Sequence, residues 1–201
     1  MSKTKILADQ LDLIPPDPAQ QHQHDPGGKV RMALMAGVRG DAEFSADGRH
    51  RTLMRRWLGD AFPERYVLFI GMNPSTADAE VNDPTCAREW TFTQREGFDA
   101  MVKANVGDYR ATHPKMLLED GVIVSSPANL PAIREQAKGA ARVILCHGKL
   151  NKALVPAGKA LVEALTEDGI DIWCFGTNGD GSPKHPLYLR ADTPLVRWMP
   201  K

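Results

Sequence analysis

The chain has 201 residues, and its 25 lysines and arginines balance 25 aspartates and glutamates, so the formal net charge at pH 7 is zero. This length lets one domain bury a core without disulfides or metals, and the balance does not indicate a general nucleic-acid binder. The three cysteines lack CxxC spacing, which excludes an obvious disulfide framework or zinc site. No stretch approaches the roughly 18 apolar residues of a membrane span. We therefore expect a cytoplasmic protein without membrane, metal or cofactor.

Residues 1–40 differ in composition from the rest of the chain. The stretch "LIPPDPAQQHQHDPGGK" has four prolines, a glutamine and histidine tract and a glycine pair, and it offers little apolar surface to bury. We predict a flexible N-terminal arm over residues 1–40 and an α/β domain over residues 41–201. His22 and His24 within the arm are either a weak metal-chelating pair or part of a plain polar tract.

The first segment of the domain combines apolar and basic residues. Four apolar side chains recur at helical spacing: Leu53, Met54, Trp57 and Leu58. This spacing predicts a helix. Arg51, Arg55 and Arg56 would lie on its other side, as a solvated face or as a patch that faces phosphate groups. If they lie beside the site, a polymeric substrate is favoured; if they face away, a small nucleotide or nucleoside is favoured.

Strand and helix signals then alternate. Continuous apolar runs predict strands over residues 66–70, 142–146 and 171–175, with a weaker fourth over 102–109. Helical stretches cover residues 86–98, 129–140 and 153–169. This alternation predicts a three-layer α/β sandwich with a central, mainly parallel, four-stranded sheet.

Unusual loops follow the three strong strands: "GMNPSTAD", "HGK" and "GTNGDGSPKHPLYL". Ligands bind outside the carboxyl ends of the strands in open parallel sheets, so we expect these loops to form one site. In the first loop Gly71 lets the backbone leave the strand and Pro74 stiffens it, so that Asn73 is held between them. Its amide either orients a base or a water molecule, or only hydrogen-bonds its own loop.

Further residues of these loops suggest supporting roles. Ser75, Thr76 and Asp78 are candidates to cap a following helix, and Asp83 in "NDPT" is a second cap that braces the first loop. In the last loop Lys184 and His185 precede Pro186. A histidine held there either stabilises a developing anion or transfers a proton, or is a partly buried side chain bonded to a carbonyl.

Two more candidates have equally open interpretations. His147 either points into the same cleft or merely finishes its strand. Arg110 either clamps a phosphate or carboxylate, or pairs with an acid such as Asp108.

Four motifs in order resemble one family. They are "FSADGRHRTLMRRW", "FIGMNPSTADAEVNDPT", "NVGDYRATHPKML" and "GDGSPKHPLYL", and they resemble the bacterial and phage proteins catalogued as domain of unknown function 1643, over about residues 44–198. That family is in turn similar to the uracil-DNA glycosylase superfamily. The resemblance implies a parallel-sheet fold with one motif after the first strand and a His-Pro motif after the last.

The same resemblance implies a reaction. Asn73 of "GMNP" would orient the attacking water, and His185 of "KHPL" would support the negative charge on the departing base. The residues expected to bind substrate around them are Gly71, Met72, Pro74, Ser75, Asp83, Arg110, His147, Lys184 and Tyr188.

The leading hypothesis is therefore an enzyme that acts on a nucleobase or nucleotide, most concretely an N-glycosidic hydrolase of DNA bases. The alternative is a module that binds a nucleotide or modified nucleic acid in the same pocket without cleaving it. A scaffold protein with a vestigial pocket is a third reading. The expected partner is DNA or a nucleotide-like small molecule.

Overall fold

The computed structural model describes residues 31–199. His22, His24 and most of the predicted arm lie outside these residues. Within the remainder of the arm, Met32–Ala33 and Val38–Gly40 lie in strands. The predicted boundary at residue 40 therefore falls inside a strand of the domain.

Nine strands and three α-helices follow one another along the described chain. The strands are β1 (Met32–Ala33), β2 (Val38–Phe44), β3 (Arg51–Leu58), β4 (Val67–Gly71), β5 (Val81–Asn82), β6 (Ala100–Asn105), β7 (Arg142–Leu145), β8 (Ile172–Cys174) and β9 (Val196–Arg197). The helices are α1 (Pro84–Arg95), α2 (Asn129–Gly139) and α3 (Val155–Glu167). Short 3-10 turns span Pro114–Leu118, Lys152–Leu154 and Pro186–Tyr188.

Seven of the strands form one sheet in the order β2-β3-β6-β4-β7-β8-β9, while β1 and β5 pair separately. Strands β6, β4, β7 and β8 run parallel in its middle. Antiparallel β3 and β2 extend it on one side and antiparallel β9 on the other. The predicted α/β class is confirmed. The predicted strand count was too low, because the antiparallel flanks carry no continuous apolar run.

The helix predicted over Leu53–Leu58 is wrong, since these residues lie in β3. Met54 pairs with Lys103 of β6 in the sheet. The adjacent side chains of Leu53 and Met54 pack into different core clusters, as successive residues of a strand do. Two apolar pairs four residues apart suit a helix, but they also suit a strand covered on both faces.

The sheet is covered on both faces by helices. Every residue of β4 is buried. Leu68 and Ile70 belong to the cluster that includes buried residues of α2 and α3. Val67 and Phe69 belong to the cluster that includes buried residues of α1. This two-sided burial explains why the strand reads as a continuous apolar run.

The chain changes direction across the sheet at β4. From β4 it crosses by α1 to β6 on one side, and it later crosses by α2 to β7 on the other. Ligand sites of open α/β sheets lie at such a switch point, outside the carboxyl ends of the strands. No helix within residues 31–199 is long and apolar enough to cross a membrane.

Candidate functional site

A small pocket lies at the carboxyl ends of β4 and β6. Its volume is about 250 Å³. The residues that line it are Arg51, Gly71, Met72, Asn73, Ser75, Asp83, Thr85, Cys86, Lys103, Asn105, Ala111, Thr112 and His185. Loops that are more than 100 residues apart in sequence, around Asn73 and His185, therefore meet at one place.

Gly71 ends β4 at the floor of this pocket, where space is limited. A Cβ atom at this position would lie 2.6 Å from Lys103 Nζ and 2.8 Å from Asn105 Oδ1. Both distances are far below ordinary contact, so a side chain here would displace the two polar groups. The glycine is thus required by the close approach of β6.

Asn73 is fixed by its own amide group. Its Nδ2 donates to Pro74 O at 2.9 Å and to Ala111 O at 2.7 Å. These two bonds use both amide hydrogens. No donor contacts Asn73 Oδ1 among the residues that the structure describes, and the side chain lines the pocket. The loop-bracing role considered for this residue is real, and it leaves the oxygen available to a ligand or water.

The rest of the loop is organised differently from the sequence prediction. Ser75, Thr76 and Asp78 do not cap a helix, because β5 intervenes before α1. The Asp78 Oδ1 atom accepts from Glu80 N at 2.8 Å and so closes a turn.

Asp83 is the cap of α1. Its Oδ1 accepts from Cys86 N at 2.8 Å, and Pro84 occupies the first turn. The cap holds the N-terminus of the helix against the pocket, since Thr85 and Cys86 also line it.

Arg56 braces the same loop from below. Its guanidinium donates to Asn82 Oδ1 at 2.9 Å, to Asp78 O at 2.5 Å and to Val81 O at 2.9 Å. It is fully buried. The buried Arg56 side chain therefore holds the long polar segment in place through these three hydrogen bonds.

A buried ion pair lies beneath the pocket. Lys103 Nζ donates to Glu89 Oε1, and Cys146 Sγ lies 3.3 Å from the same oxygen. Burial opposes the charge of Lys103, but the interactions with Cys146, Glu89 and Cys86 together more than offset this and raise the lysine pKa above its ordinary value. Burial also raises the pKa of Glu89, and Lys103 works against that rise. Lys103 consequently carries a positive charge at the pocket wall.

His185 lies on the opposite wall as an uncharged side chain. Its Nδ1 accepts from Leu187 N at 3.4 Å, which places the ring proton on Nε2. Burial, reinforced by the charge of Lys103, lowers its pKa to about 4. The ring of Tyr188 is tilted against it at a centroid distance of 5.7 Å. At neutral pH His185 can donate a hydrogen bond without carrying a charge.

Several predicted site residues lie outside the pocket wall. Pro74 contributes only its carbonyl, which accepts from Asn73 and from Ala111 N. Lys184 and Tyr188 line a shallow depression that shares His185 with the pocket. His147 Nδ1 lies 2.7 Å from Gly148 O, and the residue lines a different groove along α3.

Arg110 is also placed away from the pocket. Its Nη1 donates to Gly48 O at 3.2 Å and its guanidinium lies 5.1 Å from the centre of the Phe44 ring. The carboxylate of Asp108 accepts from the backbone and hydroxyl of Ser126. The contacts of Arg110 are thus those of a buried structural side chain.

Six pocket residues were not predicted from the sequence: Thr85, Cys86, Lys103, Asn105, Ala111 and Thr112. Lys103 and Asn105 interrupt the apolar run of β6, and a charged residue within a buried strand is the signal that could have found them. Arg51 was considered only as part of a basic helix face, and its segment is instead the strand β3.

The three predicted arginines do not form a common patch. Arg51 lines the pocket, Arg56 braces the loop, and Arg55 pairs with Asp41 at 3.3 Å and with Glu43 at 2.7 Å. A surface that faces phosphate groups is therefore not built from these side chains. Across residues 31–199 no three His, Cys, Asp or Glu side chains are grouped to hold a metal ion.

Comparison with known proteins identifies the family. The family model described as a protein of unknown function, DUF1643, matches residues 50–187. The chain belongs to this family, as its motifs predicted. No curated protein matches the chain, and no solved structure does.

Proposed function

We propose that this member of the DUF1643 family hydrolyses an N-glycosidic bond, with a nucleobase as the leaving group. The observation that carries the proposal is the orientation of Asn73. Its amide hydrogens are held by two backbone carbonyls, so its Oδ1 is the group left to accept a hydrogen bond in the pocket. A water molecule held by this oxygen would have a lone pair free to attack C1′ of the sugar.

His185 supplies the complementary interaction. As the C1′–N bond breaks, its electron pair moves onto the base, and the neutral ring donates its Nε2 hydrogen to the resulting anion. The low pKa keeps the ring neutral near pH 7, so that His185 acts as a hydrogen-bond donor to the anion and not as a general acid. The positive charge of Lys103 nearby favours the same anion. The water proton passes to solvent after attack.

The sequence motifs support this assignment. "GMNP" at Gly71–Pro74 and "KHPL" at 184–187 resemble the two motifs of the uracil-DNA glycosylase superfamily. The first motif begins at the end of β4 and the second lies in the loop after β8, and both strands belong to the parallel middle of the sheet. This placement is compatible with a uracil-DNA-glycosylase-like fold. We therefore also propose that the chain has a uracil-DNA-glycosylase-like fold.

The size of the pocket favours a small reacting group. Its volume of about 250 Å³ lies below the roughly 300–1,000 Å³ of pockets for drug-sized ligands. One base or a compact nucleoside suits it. Because Arg55 and Arg56 are committed to other contacts, a free nucleoside or nucleotide, or one base flipped from a single strand, is favoured over a duplex.

A non-catalytic binding module is the second candidate. One observation favours it: Asp83, the carboxylate that lines the pocket, already accepts a hydrogen bond from Cys86 N. A general base would need that carboxylate to be free. Hydrolysis through Asn73 alone requires the departing base to be well stabilised.

Mass spectrometry of released bases tests the choice. The protein is incubated with deoxynucleosides, their 5′-monophosphates, and single- and double-stranded DNA that carries uracil, mismatched thymine or modified pyrimidines. We expect base release from at least one substrate, its loss in Asn73→Ala, and its retention in Lys159→Ala, a variant of the exposed face of α3. Binding without release from any substrate would favour the second candidate.

A further inference from the structure

We propose that the inner wall of this pocket binds an oxyanion carried by the ligand, a phosphate or a carboxylate, and that Arg51 is its charge partner. The inference deepens the proposed function by naming the class of its substrate. It rests on the same pocket, but the binding of an oxyanion requires no cleavage.

Arg51 is a buried cation without a counter-ion. Its side chain is 1% exposed, its Nη1 donates to Ala77 O, and its Nε has no hydrogen-bond partner. No carboxylate of residues 31–199 forms an ion pair with it. Buried charges are ordinarily paired, because removal from water is costly. An anion brought by a ligand would complete this site.

Two other buried cations show the usual arrangement. Lys103 is paired with Glu89. Arg56 lacks an ion pair, but its guanidinium donates to four acceptors: Asn82 Oδ1, Arg55 O, Asp78 O and Val81 O. Arg51 has neither form of compensation, although it lies on the same strand as Arg56.

Other unused donors surround Arg51. Asn105 Nδ2 and Ser75 Oγ are buried and have no partner, and both residues line the pocket. Asn105 is 1% exposed. Lys103 Nζ uses one of its three hydrogens on Glu89. Three independent side chains with unsatisfied donors thus meet in one small cavity.

The helix beside them adds to the attraction. The 12-residue helix α1 begins at this wall, with Thr85 and Cys86 in contact with the cavity. The N-terminus of a helix carries a partial positive charge that favours anions. The helix N-terminus thus acts together with the unpartnered donors of Arg51 and Asn105, which line the same pocket.

The acceptors of the pocket are few. Asp83 is committed to the cap of α1, and Asn73 Oδ1 is the acceptor assigned to water. Glu89 neutralises Lys103 from behind. The positive field is therefore moderate, and recognition depends on directed hydrogen bonds to an oxygen-rich anionic group.

Calorimetric titration with matched ligand pairs tests the inference. Deoxyuridine is compared with its 5′-monophosphate, and uracil with uracil-6-carboxylate; inorganic phosphate is titrated alone. We expect the anionic member of one pair to bind at least about 10-fold more tightly than its neutral partner. A preference within the first pair identifies a phosphate, and one within the second pair a carboxylate.

Two variants locate the effect. Arg51→Gln should reduce the anion preference to about 2-fold or less, and Arg51→Lys should retain part of it. Arg55→Gln, which removes an ion-paired arginine outside the pocket, should leave it unchanged. Equal affinity for both members of each pair in the wild-type protein would overturn the inference, whether or not the variants fold. An unchanged preference in a folded Arg51→Gln would overturn it too.

The outcome is separable from that of the proposed function. Base release without any anion preference would overturn the oxyanion site alone. Anion preference that depends on Arg51, without base release, would support the oxyanion site and overturn the hydrolase.

Discussion

The pocket beside Asn73 and the groove along α3 differ in size and in chemistry. The groove has a volume of about 870 Å³ against about 250 Å³ for the pocket. Its walls include Leu150, Val162 and Trp198. None of the unpartnered buried polar side-chain atoms of residues 31–199 belongs to a residue of the groove, whereas Arg51, Ser75 and Asn105 of the pocket each have one.

The volume of a cavity alone therefore does not identify the functional site. A folded chain ordinarily satisfies its buried polar atoms, so a concentration of unsatisfied ones requires an explanation. A ligand is the explanation proposed here for the pocket. The groove needs none, because apolar side chains can remain beside solvent.

The largest expected difference between a pocket variant and a groove variant is in the rate of catalysis. Asn73→Ala should lower the rate of base release by about 100-fold to 10,000-fold, as for the loss of a group that acts directly on the reacting atoms. Rates are measured under single-turnover conditions beside Lys159→Ala from the groove, which should match the wild type. Equal rates in Asn73→Ala and the wild type would remove Asn73 from the mechanism.

The next largest effect is on the free energy of unfolding and concerns the Lys103–Glu89 ion pair beneath the pocket. Glu89→Gln leaves the charge of Lys103 buried without its partner, and we expect a loss of about 3–5 kcal/mol in the free energy of unfolding. Urea denaturation measures it. The double variant Glu89→Gln with Lys103→Met should recover part of the loss. A double variant less stable than Glu89→Gln would show that the pair is not the cause.

Two arginines on β3 should respond in opposite ways. Arg56→Gln removes a buried donor from the carbonyls of Asp78 and Val81 and should cost about 1–3 kcal/mol of stability. Arg51→Gln removes an uncompensated buried charge and should be neutral or stabilising in the absence of ligand. Urea denaturation of both variants compares them, and a larger loss for Arg51→Gln would indicate that Arg51 is structural.

A smaller effect concerns acid stability. The pKa of His185 falls from its ordinary value of 6.5 to about 4 in the folded chain, chiefly through burial. The folded state therefore binds fewer protons than the unfolded state between these values, and stability is lost as the pH falls from 6.5 towards 4. His185→Ala should lose less stability over that interval. Nuclear magnetic resonance titration of the ring should give a midpoint near 4, and a midpoint near 6.5 would contradict its burial.

The smallest effect belongs to the groove. Lys159 and Glu163 form an exposed pair with 3.8 Å between Nζ and Oε1. Lys159→Ala should change the free energy of unfolding by no more than about 0.5 kcal/mol and leave ligand affinity unaltered. Thermal and calorimetric measurements check this. A loss of ligand affinity in Lys159→Ala would move the site from the pocket to the groove.

Much of the architecture was predictable because buried parallel strands appear in the sequence as continuous apolar runs. Val67–Ile70 and Val143–Leu145 are apolar throughout, and glycine at 169 marks the end of α3. β3 was not predictable by the same rule. Its two buried arginines, at 51 and 56, interrupt the apolar pattern, and they donate to Ala77 O and Asn82 Oδ1, which lie more than 20 residues away in the chain.

Sequence reasoning predicted the site residues that lie in the loops after the strands, and it did not predict those on a neighbouring strand. Asn73 comes two residues after β4, and His185 ends the long loop that follows β8. Each is marked by glycine and proline residues of its own loop, so sequence reasoning placed both in the candidate site. Lys103 and Asn105 reach the pocket from a neighbouring strand, through sheet register that the sequence does not state. His147 is the opposite case, because it follows a strand that ends at the same sheet edge and yet lines the groove along α3 and not the pocket.

Ligand-induced shifts in nuclear magnetic resonance spectra test the central claim most directly. The side-chain N–H signals of Asn73, Asn105 and Arg51 report on the pocket, and the indole N–H of Trp198 reports on the groove. Deoxynucleosides and their 5′-monophosphates are titrated into labelled protein. We expect saturable shifts in the pocket signals and none in Trp198. Saturable shifts at Trp198 with unchanged pocket signals would contradict it.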